Sequence, residues 1–323
     1  MDLGHNARGK LFKLTYFCSI YIIKVFKVTT LVTGGSGMLG RHLQDYLCDD
    51  AVFLSSVDAD LTKTSDVQYI MYHYKPARVI HLAAKVGGLQ DNMKHPADFF
   101  NENVLMNTNL LVFSHEVGVK RFTAMLSTCV YPDVVKSYPM KEDDLFDGPP
   151  PEGNFSYAYA KRSMAVQIDA MNAQYGTKYN YIIPCNLYGE NDNFFHSDKM
   201  HFVTALLQKL KESNGSIQLL GTGKPLRQFM HTDDLARIIK RVVDEDITES
   251  FNAAPDFNMS IKEMAEEAID ALCDKDVEIN WTKPELDGQY RKDVSSEKLL
   301  SLLPDFKFTS FREGVKRVWK TLN

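Results

Sequence analysis

The segment Thr33-Gly34-Gly35-Ser36-Gly37-Met38-Leu39-Gly40 leaves few folds open to this chain. It ends a β-rich run, 28–33 (VTTLVT), and opens a helical pattern from about 37 to 48. Gly34, Gly37 and Gly40 stand three apart, so the backbone can turn tightly, approach a pyrophosphate without Cβ obstruction and set a helix N-terminus under the negative charge. Alone, such a triplet is a packing turn. At a strand-to-helix junction that opens a βαβ series, it is what a dinucleotide site requires. The series continues with a strand at 51–56, helical 64–74, strand 78–84, helical 96–117 and strand 120–127. After a loop at 132–156 with three consecutive prolines come helical 157–175 and strand 179–186. This alternation specifies an α/β fold, a doubly wound parallel sheet covered on both faces. Beyond Tyr188 the elements shorten: helical 200–212, a strand near 217–220, helical 232–244 and 260–273, a strand at 277–281, and helical 295–303 and 310–321. They read as a smaller C-terminal α/β region. The expected division is 1–27 as an unassigned extension, 28–188 as the dinucleotide domain and 189–323 as mainly a substrate domain, with some segments returning to the first sheet.

Charge narrows the ligands. Lys+Arg 37 against Asp+Glu 42 gives a net charge of -5, so bulk electrostatics recruit neither nucleic acid nor an anionic membrane, and an anionic ligand must be held by local groups. The five cysteines, at 18, 48, 129, 185 and 273, show no C-x-x-C spacing, which argues against a disulfide framework or a zinc site and for a reducing, cytoplasmic setting. The most apolar stretch, 11–28, has only ten uncharged residues between Lys13 and Lys24, too few for a membrane span of ~20. No small-residue cleavage site follows it before Lys24 and Lys27, so a secretory leader is disfavoured.

The cofactor choice rests on the end of the second strand, Leu54-Ser55-Ser56-Val57-Asp58. Ser55 and Ser56 suit a 2′-phosphate that an acidic residue there would repel, which favours NADP(H), although Asp58 lies close and no Arg clamp is visible. Tyr157 and Lys161 stand four apart in a helical run, on one face. A free phenol titrates near ~10, and a neighbouring ammonium favours its ionised form. Tyr159, two residues from Lys161, falls on another face. Ser127-Thr128-Cys129 closes the fourth strand, where alternation puts 127 and 129 on one side, at the carboxyl edge where ligands of open sheets gather. A buried cysteine is by default a small apolar group. His201 opens a helix, and by itself reads as a surface or capping residue. His196 and His231 are weaker candidates.

The glycine turn, HLAAKVGG, LSTCVYP, the Tyr157/Lys161 pair, NLYGENDNF and RQFMHTDDLA together resemble the extended short-chain dehydrogenase/reductases, which are Rossmann-type enzymes. Within them, Lys85-Val86-Gly87-Gly88, Ser127-Thr128-Cys129 and Asp192-Asn193-Phe194 are similar to the GDP-L-fucose synthase family, the 3,5-epimerase/4-reductases of GDP-4-keto-6-deoxy-D-mannose. The resemblance runs from about 28 to the end. It implies that Ser127 and Tyr157 meet the 4-keto oxygen, that Lys161 holds the nicotinamide ribose, and that Cys129 and His201 act as base and acid in epimerisation. It implies NADP(H) contacts at Gly34, Gly35, Ser36, Gly37, Met38, Leu39 and Gly40. Further contacts are implied at Ser55 and Ser56, at Asp60 and Leu61 beside the adenine, at Leu82, Ala83 and Ala84, at Pro184, Asn186 and Leu187, and at Lys161 and His201. For the GDP-sugar it implies Lys209, Leu220, Arg227 and Asp287, and it implies a homodimer through the helices at 96–117 and 157–175. Two positions depart from the pattern: Leu220, where other members offer a tryptophan, and Ser36, where bacterial members offer an arginine.

Two other readings compete. A 4,6-dehydratase needs an Asp-Glu pair directly after the strand-end hydroxyl, where Thr128-Cys129 stands, and a simple 4-epimerase leaves the Cys129/His201 pair without a use. A non-catalytic NADP-binding regulator would have no need to combine Ser127, Cys129, Tyr157, Lys161 and His201.

Overall fold

The computed structural model describes residues 30–47, 51–192 and 200–322. The extension at 1–27, the cysteines at 18 and 48, and Asn193, Phe194 and His196 lie outside the described residues. The chain begins with β1 (Thr30–Thr33), α1 (Met38–Gln44), β2 (Ala51–Leu54), α2 (Thr64–Tyr74) and β3 (Arg78–His81). It continues with α3 (Leu89–Lys94), α4 (Pro96–Glu116), β4 (Arg121–Met125), α5 (Phe155–Tyr175), β5 (Lys178–Pro184) and β6 (Asn186–Tyr188). Then follow α6 (Phe202–Glu212), β7 (Ser216–Leu220), β8 (Leu226–Arg227), β9 (Phe229–His231), α7 (Thr232–Asp244) and β10 (Phe251–Ala253). The last elements are β11 (Met259–Ser260), α8 (Ile261–Leu272), β12 (Glu278–Thr282), α9 (Glu297–Leu302) and α10 (Phe311–Thr321).

Six strands form one sheet in the order β10-β5-β4-β3-β1-β2, and every pairing in it is parallel. The fold is therefore α/β with a Rossmann-type central sheet. All four residues of β1 are buried, as a strand covered on both faces requires. From β1 the chain winds first to β2 and then back to β3 on the other side, so the strand order reverses between β1 and β3. A crevice for a ligand opens at such a reversal, at the carboxyl ends of the strands. The glycine turn leaves β1 there. Local sequence sets the helix ends: Pro96 occupies the first turn of α4, and Gly176, at φ 66, closes α5 in the left-handed conformation that a residue without Cβ adopts cheaply.

Three boundaries differ from the sequence reading. The strand expected at 179–186 is two strands, because Pro184 has no N–H to continue the ladder; the chain then leaves the main sheet and Asn186–Tyr188 pairs with β9 in a separate parallel ladder. The KVGG turn leads into a short helix, α3, that six residues of weak periodicity do not announce. β4 ends at Met125, and Thr128–Val130 is a 3₁₀ turn instead of strand.

The main core surrounds the six-stranded sheet. A second core gathers Leu206, Leu207, Met264, Phe311 and Val315 from α6, α8 and α10 against the parallel pair β7 and β12. This second core comes from Tyr188 and residues after it, whereas β10 from the same stretch pairs with β5 and widens the main sheet.

Candidate active site

The crevice between β1 and β3 is built around missing side chains. Gly34 sits at φ +75, and a Cβ there would lie 2.7 Å from Ala83 N; one on Gly35 would lie 2.7 Å from Phe53 Cβ. The turn closes by Gly37 N–H donating to Gly34 O at 3.0 Å and Gly35 N–H to Leu54 O at 2.8 Å. Gly37 is the N-cap of α1 and offers no side-chain acceptor, so the first-turn N–H groups face the crevice without an internal cap. This cradle fits a dinucleotide pyrophosphate: Met38, Leu39 and Gly40 form the first turn of α1, and Leu82, Ala83 and Ala84 form the opposite wall, with Leu82 N–H on Thr33 O at 3.1 Å. Pro184 and Asn186–Leu187 lie at the end of β5 and in β6, and Asn186 Nδ2 donates to Gln228 O at 3.1 Å.

At the adenosine end the structure changes the sequence argument. Ser55 is not a free phosphate donor, because its N–H and Oγ both donate to Asp58 Oδ2 at 2.8 Å. These bonds, the backbone one foremost, hold the Asp58 carboxyl below its usual range, so an anion stands beside the hydroxyl that the sequence reading offered to a 2′-phosphate. Ser56 is exposed. The cation that the sequence did not reveal is Arg41: from α1 its Nε donates to Ser36 O at 3.1 Å, which places an exposed guanidinium against the glycine turn. Asp60 uses Oδ1 to accept from Thr62 N and Oγ1, and Leu61 is buried with its carbonyl accepting from Asn109 at 3.0 Å.

Ser127, Cys129, Tyr157 and Lys161 converge beyond the carboxyl end of β4. Strand alternation is not the reason that Ser127 and Cys129 lie together. Ser127 is the extended N-cap of the 3₁₀ turn, and its Oγ accepts from Cys129 N–H at 3.5 Å, so the turn folds the thiol behind the hydroxyl. Arg162, one residue past Lys161, pins that turn by donating to Val130 O and Gly148 O. Lys161 is fully buried in α5; its Nζ donates to Met125 O at 2.8 Å and stands 5.7 Å from the Tyr157 ring centre. Burial pushes its ammonium down to about 8. Burial, with the thiol adding to it, pushes the Tyr157 phenol up, against the expectation that Lys161 would ease its ionisation. Tyr157 is therefore a protonated hydrogen-bond donor at neutral pH. Cys129 is buried and its thiol is pushed up by desolvation, opposed by Lys292, Ser127 and Lys161. Tyr159 is exposed on another face, with Arg162 over its ring.

Lys292 is a further residue that sequence reasoning missed. It is the last residue of the DGQYRK segment, and its ammonium, pushed down by burial, is favoured by Cys129 and opposed by Arg227. Arg227 donates to Leu226 O at 2.8 Å and Asp287 O at 3.4 Å. The Asp287 carboxylate is engaged by Thr222, through N–H at 2.7 Å and Oγ1 at 2.6 Å, and so shapes the 221–223 turn. Lys209 Nζ donates to Gln218 O at 2.5 Å, and Leu220 is 54% exposed at the end of β7. His201 is the exposed N-cap of α6, on a different element from the four converging side chains. His231 is wholly buried beside Glu190.

Residues 30–254 match the model of the NAD dependent epimerase/dehydratase family. A GDP-L-fucose synthase of Dictyostelium discoideum is 37% identical over 302 residues, which span 90% of this chain and 93% of that protein. A probable GDP-L-fucose synthase of Drosophila melanogaster is 34% identical, over 88% of this chain and 94% of that one. The crystal structure of a GDP-L-fucose synthetase from Naegleria fowleri bound to NADP superposes with a TM-score of 0.81 at 34% identity, covering 90% of this chain and 91% of that one.

Proposed function

This chain belongs to the GDP-L-fucose synthase family of the NAD dependent epimerase/dehydratases, and from that membership we propose that it converts GDP-4-keto-6-deoxy-D-mannose to GDP-L-fucose. The reaction is epimerisation at carbons 3 and 5 followed by NADPH-dependent reduction of the 4-keto group. The observation that carries this reading is the convergence of Ser127, Cys129, Tyr157 and Lys161 at the strand edge beside the glycine cradle.

Carbons 3 and 5 both flank the ketone, so loss of either proton sends an electron pair into the carbonyl and leaves an enolate oxygen. Ser127 and the protonated Tyr157 phenol donate to that oxygen, and donors fixed in advance are worth most in a site that excludes water. Cys129 takes the proton as thiolate. Its burial opposes that state, and the cations of Lys292 and Lys161 with the Ser127 hydroxyl favour it. His201 returns a proton on the opposite ring face, which completes each inversion. The nicotinamide, when bound, supplies the hydride for carbon 4. Tyr157 then gives its proton to the carbonyl oxygen, and Lys161, anchored on Met125 O, fixes the phenol's helix face and the ribose. Lys209 and Arg227 hold the diphosphate, the guanidinium in bidentate fashion. Arg41, held against the glycine turn, would meet the 2′-phosphate of NADPH. The dehydratase reading fails for want of an acidic pair at Thr128-Cys129.

The protein pairs as a homodimer through α4 and α5, which pack together and leave Leu105, Val112 and Val166 about half exposed on their outer sides. Among the described residues no helix is long and apolar enough to cross a membrane, and Cys129, Cys185 and Cys273 are free thiols, which supports a cytoplasmic site of action. Incubating the purified protein with GDP-4-keto-6-deoxy-D-mannose and NADPH tests the reading. Nicotinamide absorbance should fall one-for-one with the appearance of GDP-L-fucose. A constant absorbance with no fucosyl product would overturn it.

A further inference from the structure

A partly buried ionic cluster around Glu190 takes no part in the chemistry above. Glu190 follows β6, and its Oε2 stands 3.1 Å from His231 Nε2 and 3.6 Å from His42 Nε2, while Oε1 stands 3.4 Å from Arg317 Nε. His231 Nδ1 accepts from Asp233 N–H, so a neutral His231 ring carries its hydrogen on Nε2, facing Glu190; the approach is close without the alignment of a hydrogen bond. His42 Nε2 also reaches Glu190 O at 3.2 Å. Arg317 Nη1 continues to Asp233 Oδ2 at 3.2 Å, and Asp233 Oδ1 accepts from Tyr46 OH at 2.7 Å. Burial opposes ionisation of Glu190, yet the His231 ring, the Glu190 backbone and Arg317 outweigh it and hold the carboxyl down at about 2. Carboxylates taken out of water cost stability unless they are paired, so this cluster calls for a reason.

Its connections supply one. His42 and Tyr46 belong to α1 and its C-terminal end, directly beyond the glycine turn; Asp233 is on α7 and Arg317 on α10. From one short segment Glu190 reaches α1 through His42, α10 through Arg317 and the N-cap of α7 through His231. That segment has no slack: a Cβ on Gly189 would lie 3.0 Å from Thr232 Oγ1 and 3.4 Å from His42 Nε2. Two residues on, Asp192 Oδ2 accepts from Thr204 Oγ1 at 2.5 Å, and Thr204 lies in the first turn of α6, whose N-cap is His201. A continuous set of contacts therefore runs from the dinucleotide helix to the start of the helix that carries the epimerase acid.

We propose that Glu190 is a positioning residue: it locks the 188–192 segment onto α1, α7 and α10, and through Asp192 and Thr204 it fixes His201 relative to the cofactor turn. The proposal rests on the reading of His201 as the acid, and its test separates the two. The comparison uses the full-length protein, wild type against Glu190→Gln, which keeps size while removing the charge, and Thr204→Val, which breaks only the second link. Hydrogen exchange without substrate should show faster exchange confined to the first turn of α6 in both variants. NADPH binding, followed by nicotinamide fluorescence, should stay within about twofold of wild type. Solvent deuterium entry at carbons 3 and 5 of the keto-sugar should fall about tenfold in both. Exchange raised throughout the molecule would assign Glu190 a merely structural role and overturn the proposal, as would wild-type protection of α6 in Thr204→Val. If Glu190→Gln does not fold, His42→Ala, which removes one partner on α1, should give the same local pattern more weakly, and protection of α6 at the wild-type level would sink the idea. If the wild-type protein itself exchanges no deuterium into the sugar, the functional reading fails, and the α6 exchange still decides whether Glu190 holds that helix.

Discussion

Tyr157 and Lys161 show how far a side chain's surroundings can depart from its sequence neighbourhood. Their spacing places them on one helix face, but desolvation, acting on both, keeps the phenol protonated and lowers the ammonium to about 8. Below that value Lys161 is charged and can anchor the ribose; above it the charge and a donor are lost. The kcat/KM for NADPH-dependent reduction should therefore fall with one-proton slope as pH rises through about 8, and Lys161→Arg, which stays charged, should remove that limb from the pH profile. Arg41 gives a second prediction. A hydrogen bond to a charged group contributes about 1.5–3 kcal/mol, so Arg41→Ala should weaken NADPH by roughly tenfold or more while leaving NADH within about twofold, as measured by nucleotide fluorescence titration. Equal weakening of both would mean that Arg41 only braces Ser36. Residues whose partners are near in sequence, such as the glycine triplet or Tyr157 with Lys161, were legible. Arg41 was missed although its partner Ser36 is only five positions away, because the turn of the backbone brings that carbonyl to it. Lys292 and Glu190 were missed because the groups that act on them reach them through the tertiary fold: Glu190 meets His42 148 positions earlier.

The helices α1, α4 and α5 set the element-level consequences. Gly40 lies in the first turn of α1, and a Cβ there would fall 2.7 Å from the Gly35 backbone, which has no flexible side chain to move aside. Gly40→Ala should destabilise the fold by roughly 1–3 kcal/mol in urea titration and should weaken NADPH as the turn opens. On α4, Leu105 is 48% and Val112 52% exposed along a helix already packed on α5. The double substitution Leu105→Glu and Val112→Glu should convert a dimer to a monomer in sedimentation velocity, whereas an unchanged sedimentation coefficient would remove this face from the interface. Element order and the parallel sheet were readable from alternating apolar runs and glycine turns. The ends were less so: Pro184 ends a ladder within an unbroken apolar run, and the turn at Thr128–Val130 occupies residues with strand-like composition.

The whole molecule joins two cores: the six-stranded sheet that holds the glycine cradle, and the cluster of α6, α8 and α10 behind the basic residues of the substrate region. Glu190, His42 and Arg317 tie helices of the two together. Burial lowers the ammonium of Lys292, and the charges of Cys129 and Arg227 act on it in opposite senses. That joining follows from where the chain crosses between cores, which periodicity along the sequence does not encode. The central claim is that one carbonyl-polarising pair serves two chemistries, with Cys129 as the proton-abstracting group. A reaction in D₂O with GDP-4-keto-6-deoxy-D-mannose and NADPH, with isotope positions in the product read by NMR, tests it most directly. The wild-type protein should yield GDP-L-fucose carrying solvent deuterium at carbons 3 and 5 and protium at carbon 4, and Cys129→Ser should lose the deuterium while still binding NADPH. A reduced sugar without solvent deuterium from the wild type, or undiminished incorporation in Cys129→Ser, would contradict the account.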